Sequence, residues 1–256
     1  MKLNKLFVEV IKIIDTKNLK GKCFAHRGVH DNKNGIPENS MLAFKTAIEK
    51  NTNIELDLHL LKDGKIVVFH DDNLHRMTGY SKDLKECTYD EIKNLKLLNT
   101  DEIIPLFEDI LKLVDGKVSL DIEFKSDLPV GRLEEKACKY LDKYNGEFIV
   151  ESFSPYSVNW FKKNRPNFIR GQLSCNFEDN ETLNNFQKFI MKNMLLNFIT
   201  RPDFIAYRLD SLPNRKVARY RRKGIPIFIW TIKSDEDLRE AKKYGDSFIY
   251  ENINIQ

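Results

Sequence analysis

The chain has 256 residues, with 42 basic against 38 acidic side chains and a net charge of +4, too small and scattered an excess to mark a nucleic-acid binder. With 41% apolar and 31% charged residues, it can fill one large core under a solvated surface, at a length where α/β barrels commonly stay undivided. No apolar stretch approaches the ~20 residues of a membrane span. Four widely spaced cysteines (Cys23, Cys87, Cys138, Cys175) with no CxxC or Cys/His pairing read as free thiols of a reducing cytoplasm.

Along the first segment, Leu3, Leu6, Phe7, Val10 and Ile14 share one helical face. Glu9 and Lys12 interrupt its apolar run and no small-residue cleavage site follows, so it does not read as a signal peptide. Short apolar runs rich in Ile, Val, Phe and Tyr then predict strands at 23–26, 53–59, 118–123, 148–152, 169–172, 204–207, 225–231 and 247–250. Amphipathic stretches at 40–50, 107–114, 131–144, 154–164, 181–198, 212–223 and 235–244 predict the helices between them. Alternation of this kind points to a closed (β/α)₈ barrel rather than an open sheet, and no G-x-G-x-x-G turn follows the first strand. The basic run Arg219-Tyr220-Arg221-Arg222-Lys223 reads as the solvated end of a helix.

Two irregularities stand out. An extra apolar run at 66–70 follows the second strand across Lys62-Asp63-Gly64-Lys65, a hairpin signal, and residues 71–105 form a long polar insertion after it. No room for an eighth helix follows the last strand, so residues 1–20 are expected to pack on the barrel in its place. The rival reading lays that helix on a membrane surface, with Lys2, Lys5 and Lys12 near lipid.

The chemistry lies at strand ends. His26 closes the first strand and His70 the extra run. Between them Glu55, Asp57 and His59 share one face of a strand, opposite Ile54, Leu56, Leu58 and Leu60. A later strand repeats the pattern, with Asp121, Glu123 and Lys125 on one face and Leu120, Ile122 and Phe124 on the other. In a barrel the apolar face meets the helices, so the acidic face looks inward. Carboxylates gathered there repel unless a cation joins them, and oxygen ligands suit Mg²⁺ or Ca²⁺ better than zinc. Two imidazoles beside such a cluster supply acid–base chemistry. His30 and His75 sit in polar loops and carry less weight, and His59 is not read as a ligand.

In order and spacing, His26-Arg27-Gly28, Pro37-Glu38-Asn39-Ser40, Glu55-x-Asp57, Lys62-Asp63-Gly64, Val67-Val68-Phe69-His70-Asp71, Asp121-Ile122-Glu123-Phe124-Lys125, Glu151-Ser152-Phe153-Ser154 and Trp230-Thr231 resemble the glycerophosphodiester phosphodiesterase family. The resemblance covers residues 21 to 250 and implies a TIM barrel with a small insertion after the second strand, over 21–256. It implies that Glu55, Asp57 and Glu123 hold a divalent metal and that His26 and His70 form the acid/base pair. Arg27 and Lys125 would bind phosphate, with Glu38 and Asn39 near the metal and Trp230 at the pocket rim. The implied activity is metal-dependent hydrolysis of a small-molecule glycerophosphodiester to glycerol 3-phosphate and an alcohol, in the cytoplasm and without nucleic acid. The rival activity is of phospholipase D type, on lysophospholipids or sphingomyelin at a membrane. The family's closing Gly-Val-Asp and Thr-Asp-x-Pro strings are replaced here by residues 245–252, a departure expected to fall on the alcohol side of the pocket.

Overall fold

A computed structural model describes residues 16–253; the helix expected within residues 1–20 therefore lies largely outside the described residues. The strands are β1 Cys23–Ala25, β2 Asn53–Leu60, β3 Ile66–Val68, β4 Leu120–Phe124, β5 Phe148–Ser152, β6 Arg170–Ser174, β7 Phe204–Arg208, β8 Ile227–Ile232 and β9 Ser247–Tyr250. The α-helices are α1 Met41–Glu49, α2 His75–Thr78, α3 Tyr89–Ile92, α4 Phe107–Val114, α5 Arg132–Leu141, α6 Pro155–Asn164, α7 Asn185–Lys192, α8 Asn197–Thr200, α9 Arg215–Arg222 and α10 Asp235–Ala241. None among the described residues is long and apolar enough to cross a membrane.

Parallel pairing runs β1-β9-β8-β7-β6-β5-β4-β2, and β1 also pairs with β2, so the sheet closes into the expected (β/α)₈ barrel. Helices return the chain between successive barrel strands, the connection that parallel pairing demands. β3 stands outside this cycle. It pairs antiparallel with β2 through Leu58↔Val68 and Leu60↔Ile66, across the Asp63-Gly64 turn.

Period-two alternation divides the strands as their sequences require. Leu56, Leu58, Leu120, Ile122 and Phe124 are buried outward, in one core with Phe107 and Ile110 of α4 and Leu133 and Ala137 of α5. The inward positions split the barrel lumen in two. On the β1, β7, β8 and β9 side it is apolar, with Phe24, Phe204, Phe228 and Ile249 packed together and ring centroids of Phe204 and Phe228 4.7 Å apart. On the β2, β4 and β5 side it is acidic. Register pairs Glu55 with Asp121, Asp57 with Glu123, and Glu123 with Glu151.

The insertion after β3 has its own small core. Leu74, Met77, Leu84, Cys87, Ile92, Leu97 and Ile104 cluster beneath α2 and α3 and against Val67 and Phe69. One helical expectation is corrected: 181–198 is not a single helix. Asn184 starts α7 with a reciprocal capping box to Gln187, and Asn193 ends it; Met194 then turns left-handed (φ 50°) before α8 begins. The four cysteines are free, and the basic run 219–223 falls in the last turn of α9 and at its C-cap, as read from the sequence.

Both oxygens of Asp121 are buried without a hydrogen-bond partner. Burial, reinforced by Glu123, raises its carboxyl well above the ordinary range. The folded chain thus keeps a proton that the unfolded chain releases, and this contribution to stability is lost as pH rises. Asp121→Asn is therefore expected to stabilise the metal-free protein by about 1–3 kcal/mol at about pH 8, and by less at about pH 5. Urea midpoints at the two pH values check this; a gain that shrinks at the higher pH contradicts it.

Candidate active site

The acidic half of the lumen ends in a cluster at the C-terminal mouth of the barrel. Glu55, Asp57 and Glu123, all buried, each offer an oxygen, and these oxygens lie within 4.8 Å of one another. Burial and the neighbouring carboxylates Asp57 and Glu123 push the Glu55 carboxyl up, and burial raises Glu123 despite Lys125 beside it. For Asp57 burial is overcome: Lys125, His70 and Arg27 hold it well below the carboxylate range. Three hard oxygen donors converging in a site short of positive charge fit a divalent cation such as Mg²⁺ or Ca²⁺.

The counter-charges come from the positions singled out in the sequence. Lys125, next after the end of β4, lies 3.0 Å from Asp57 and 2.8 Å from Glu123. Arg27 sits left-handed (φ 56°) just past β1, followed by Gly28 at φ 81°. That turn lets the Arg27 backbone N–H donate to Glu55 at 2.8 Å, while its guanidinium meets Glu38 at 2.6 Å and lies 3.6 Å from Asp57. Gly28 allows no substitute cheaply: a Cβ there would stand 2.9 Å from the ring of Phe44. Asn39, itself at φ 55°, donates to Asp57 at 2.8 Å. Ser40 closes this loop by capping α1, accepting from the Ala43 N–H at 3.1 Å.

Both histidines are tied at Nδ1 to a carboxylate. His26 Nδ1 lies 3.2 Å from Glu251, just past β9, and Glu251 in turn pairs with Lys233 at 3.2 Å. His70 Nδ1 lies 2.7 Å from Asp71, which Arg76 holds at 2.6 Å. Each carboxylate accepts from an Nδ1–H and so leaves Nε2 for proton transfer. Burial pushes the His26 imidazole down to about 4, against the upward pull of Glu251. The bond to His26 leads the effects that bring Glu251 down to about 2.

Glu38 joins the two halves of the site. It accepts from Arg27, Asn32 and Arg76, and Arg76 and Arg27 bring it to about 2 against burial. The path Arg27–Glu38–Arg76–Asp71–His70 thus fastens the insertion to the barrel mouth. His59 is within reach of the His70 carbonyl, with Nε2 at 3.3 Å. Trp230 stands edge-on to Phe153, centroids 5.6 Å apart. Both line a cleft of about 800 Å³ that also reaches Glu123 and Lys125.

The residues given site roles in the sequence (Glu55, Asp57, Glu123, His26, His70, Arg27, Lys125, Glu38, Asn39 and Trp230) are therefore at or beside this mouth. Glu251 and Arg76 were not among them. Glu251 is 225 residues from its histidine and lies in an altered string, so no local pattern pointed to it. Arg76 belongs to an insertion without periodicity. Glu151 was noted only as part of a resembling string; inward pointing from β5 makes it another buried lumen carboxylate, with Oε2 unpartnered.

The model of the glycerophosphoryl diester phosphodiesterase family matches residues 26–254. The chain is 32% identical to a glycerophosphodiester phosphodiesterase of Caldanaerobacter subterraneus subsp. tengcongensis, over 89% of this chain and 92% of that protein. It is 29% identical to lysophospholipase D GDPD1 of Rattus norvegicus, over 81% of this chain and 76% of that protein. A phosphodiesterase of Oleispira antarctica, solved in complex with the product sn-glycerol-3-phosphate, shares the barrel at a TM-score of 0.77 and 18% identity, covering 92% of this chain and 94% of that one. With the family model running from the first histidine past the last strand, and a relative matched over nearly its whole length, the chain belongs to the glycerophosphodiester phosphodiesterase family and is a phosphoric diester hydrolase.

Proposed function

We propose that this barrel hydrolyses glycerophosphodiesters to glycerol 3-phosphate and an alcohol, with Glu55, Asp57 and Glu123 holding Mg²⁺ or Ca²⁺ and with His26 and His70 as the acid/base pair. The observation that carries this reading is the convergence of three buried carboxylate oxygens within 4.8 Å of one another beside two histidines anchored at Nδ1. The named activity of the Caldanaerobacter relative supports the substrate class.

The physics of the reaction asks for these parts. A phosphodiester is anionic and repels an attacking oxygen until its charge is offset. A bound divalent cation supplies that neutralisation and polarises the phosphoryl group. Arg27 and Lys125, both held at the mouth by carboxylates, add positive charge for the non-bridging oxygens. Through its free Nε2 one histidine removes the proton of the attacking hydroxyl, and the other protonates the leaving alkoxide. The hydroxyl is the glycerol 2-OH, giving a cyclic phosphate that water then opens. Asn39 and Glu38 keep Asp57 and Arg27 in place for this, and Trp230 offers an apolar wall to the glycerol.

Release of glycerol 3-phosphate from a panel of diesters, with and without EDTA, tests the whole reading. Activity is expected with glycerophosphocholine or glycerophosphoethanolamine, to vanish with the chelator and to return with Mg²⁺ or Ca²⁺. His26→Ala and His70→Ala are each expected to lower kcat about 10²–10⁴-fold. Full activity in EDTA removes the metal from the mechanism, and a wild-type rate in either variant removes that histidine.

Glu251 is expected to act through His26. Glu251→Gln should lower kcat by about tenfold, less than loss of the histidine itself, with KM unchanged. Without the carboxylate the imidazolium loses a stabilising partner, so the His26 ring should titrate below its already depressed value. Proton NMR of the histidine rings reads that shift; an unchanged or raised His26 titration contradicts the role.

A further inference from the structure

Resting on the acid/base reading of His26 above, we propose that His30 is a positioning residue of the reaction: its Nε2–H holds one oxygen of Glu251, so that the other oxygen stays on His26 Nδ1. A lone histidine in a polar loop carries little weight in the sequence. In the fold its side chain is buried, with 4% exposed, and Nε2 lies 3.8 Å from Glu251 Oε1. Both ring nitrogens are without a hydrogen-bond partner among the described residues. A neutral imidazole always carries one N–H, and leaving that donor unpaired in the interior destabilises the fold. Glu251 Oε1 is the complementary group: it accepts no hydrogen bond among the described residues, since His26 and Lys233 both meet Oε2.

One short loop brings both imidazoles to the same carboxylate. Left-handed backbone at Arg27 and Gly28 turns the chain straight after β1, and the His30 N–H donates to the Gly28 carbonyl at 3.0 Å. Beyond it Asp31 and Ile36 pair backbone to backbone in both directions, at 2.8 and 3.0 Å, and Asp31 accepts from the Asn34 side chain at 2.6 Å. His30 is therefore anchored before and after in the chain. Glu251 is set by its own N–H, which donates to the Ile232 carbonyl at 2.9 Å. The gap between them exceeds the about 2.7–3.2 Å of an N–H···O bond by an amount that rotation of the carboxylate or of the ring closes.

Lys233 does not do this work alone. Its side chain is 62% exposed and approaches the same oxygen as His26, so it competes with the histidine there, and an exposed ion pair holds its partners loosely. A buried donor on Oε1 fixes the plane of the carboxylate instead. Burial pushes the His30 imidazole down, against the pull of Glu251, Glu38 and Asp31 and together with Arg27. The neutral ring is thereby favoured, and it donates without adding a charge. A neutral donor leaves the Glu251 charge directed at His26, whereas a further cation would compete with the His26 imidazolium for it. Glu251 fixes the His26 tautomer that frees Nε2 for proton transfer, and His30 fixes Glu251.

Two measurements on the full chain test this. The first is turnover of glycerophosphocholine by His30→Leu, which removes the donor at similar volume, and by His30→Gln, which keeps an N–H at similar reach. His30→Leu is expected to lower kcat about three- to tenfold with KM unchanged, and His30→Gln to keep at least about half of the wild-type rate. In a Glu251→Ala background His30→Leu is expected to add less than about twofold, as for two residues acting through one contact. The second is nitrogen-15 NMR of the histidine rings without substrate, which also shows whether each variant is folded. In the wild type His30 is expected to carry its proton on Nε2 and His26 on Nδ1, and His26 to lose that preference in His30→Leu but not in His30→Gln. A wild-type His30 protonated on Nδ1 alone overturns the proposal without any variant. A wild-type kcat with an unchanged His26 tautomer in His30→Leu overturns it and leaves the reaction standing. A fall in kcat that repeats in full in the Glu251→Ala background, or that comes without a change at His26, is a general structural effect and overturns it too. No turnover of the diester, with the His26 tautomer shifted in His30→Leu and kept in His30→Gln, upholds the His30–Glu251–His26 contact and overturns the reaction.

Discussion

The structure is organised around the cost of placing five carboxylates (Glu55, Asp57, Asp121, Glu123 and Glu151) inside one half of a barrel. All five are buried, and charges gathered there destabilise the fold unless they are paired or protonated. Lys125 and Arg27 answer part of that cost at the mouth. Deeper in the lumen Asp121 and Glu151 have no such partner, and burial raises both carboxyls, which favours their neutral form. The three carboxylates at the mouth are the ones whose oxygens converge closely enough for one cation to join them. The other half of the lumen, filled by Phe24, Phe204 and Phe228, keeps the dielectric low beside them and so strengthens every charge interaction at the mouth.

The insertion after β3 has to be read with this constraint. It does not merely cover the barrel. Its core seats Phe69, which fixes the following His70 and Asp71, while Arg76 returns to Glu38 on the β1–α1 loop. One carboxylate thus serves arginines from two separate segments. Glu38 of the motif Pro37-Glu38-Asn39 is, in the fold, the joint between the barrel and the insertion. Asn39 beside it contacts Asp57 directly, so adjacent residues of one motif have different targets.

Much of this was legible because β-strand geometry has a period of two. Glu55 with Asp57, and Asp121 with Glu123, alternate with fully apolar positions, and only a barrel lumen can take the charged face of a strand whose other face is buried. The hairpin at Asp63-Gly64 was legible from its turn residues. What stayed hidden depends on contacts distant in sequence. No local rule links Glu251 to His26 or Arg76 to Glu38. The division of 181–198 into α7 and α8 was missed for a different reason: apolar spacing continues through Asn193 and Met194, and the break is made by backbone conformation at Met194 rather than by polarity.

The altered closing string shows why a motif is best judged by its contacts. In sequence, Gly245-Asp246-Ser247-Phe248-Ile249-Tyr250-Glu251-Asn252 departs from the family pattern on what looked like the alcohol side of the pocket. In the fold, β9 hydrogen-bonds beside β1, the Tyr250 carbonyl accepts from the His26 N–H at 2.8 Å, and Glu251 follows at His26 Nδ1. The carboxylate at this point of the barrel is that of Glu251, steadied by Lys233. Because β9 closes the barrel against β1, the last strand and the first histidine form one local unit although they lie at opposite ends of the chain. In the reaction proposed above, a change in the final string is therefore expected to act on the tautomer and orientation of His26, and through them on proton transfer.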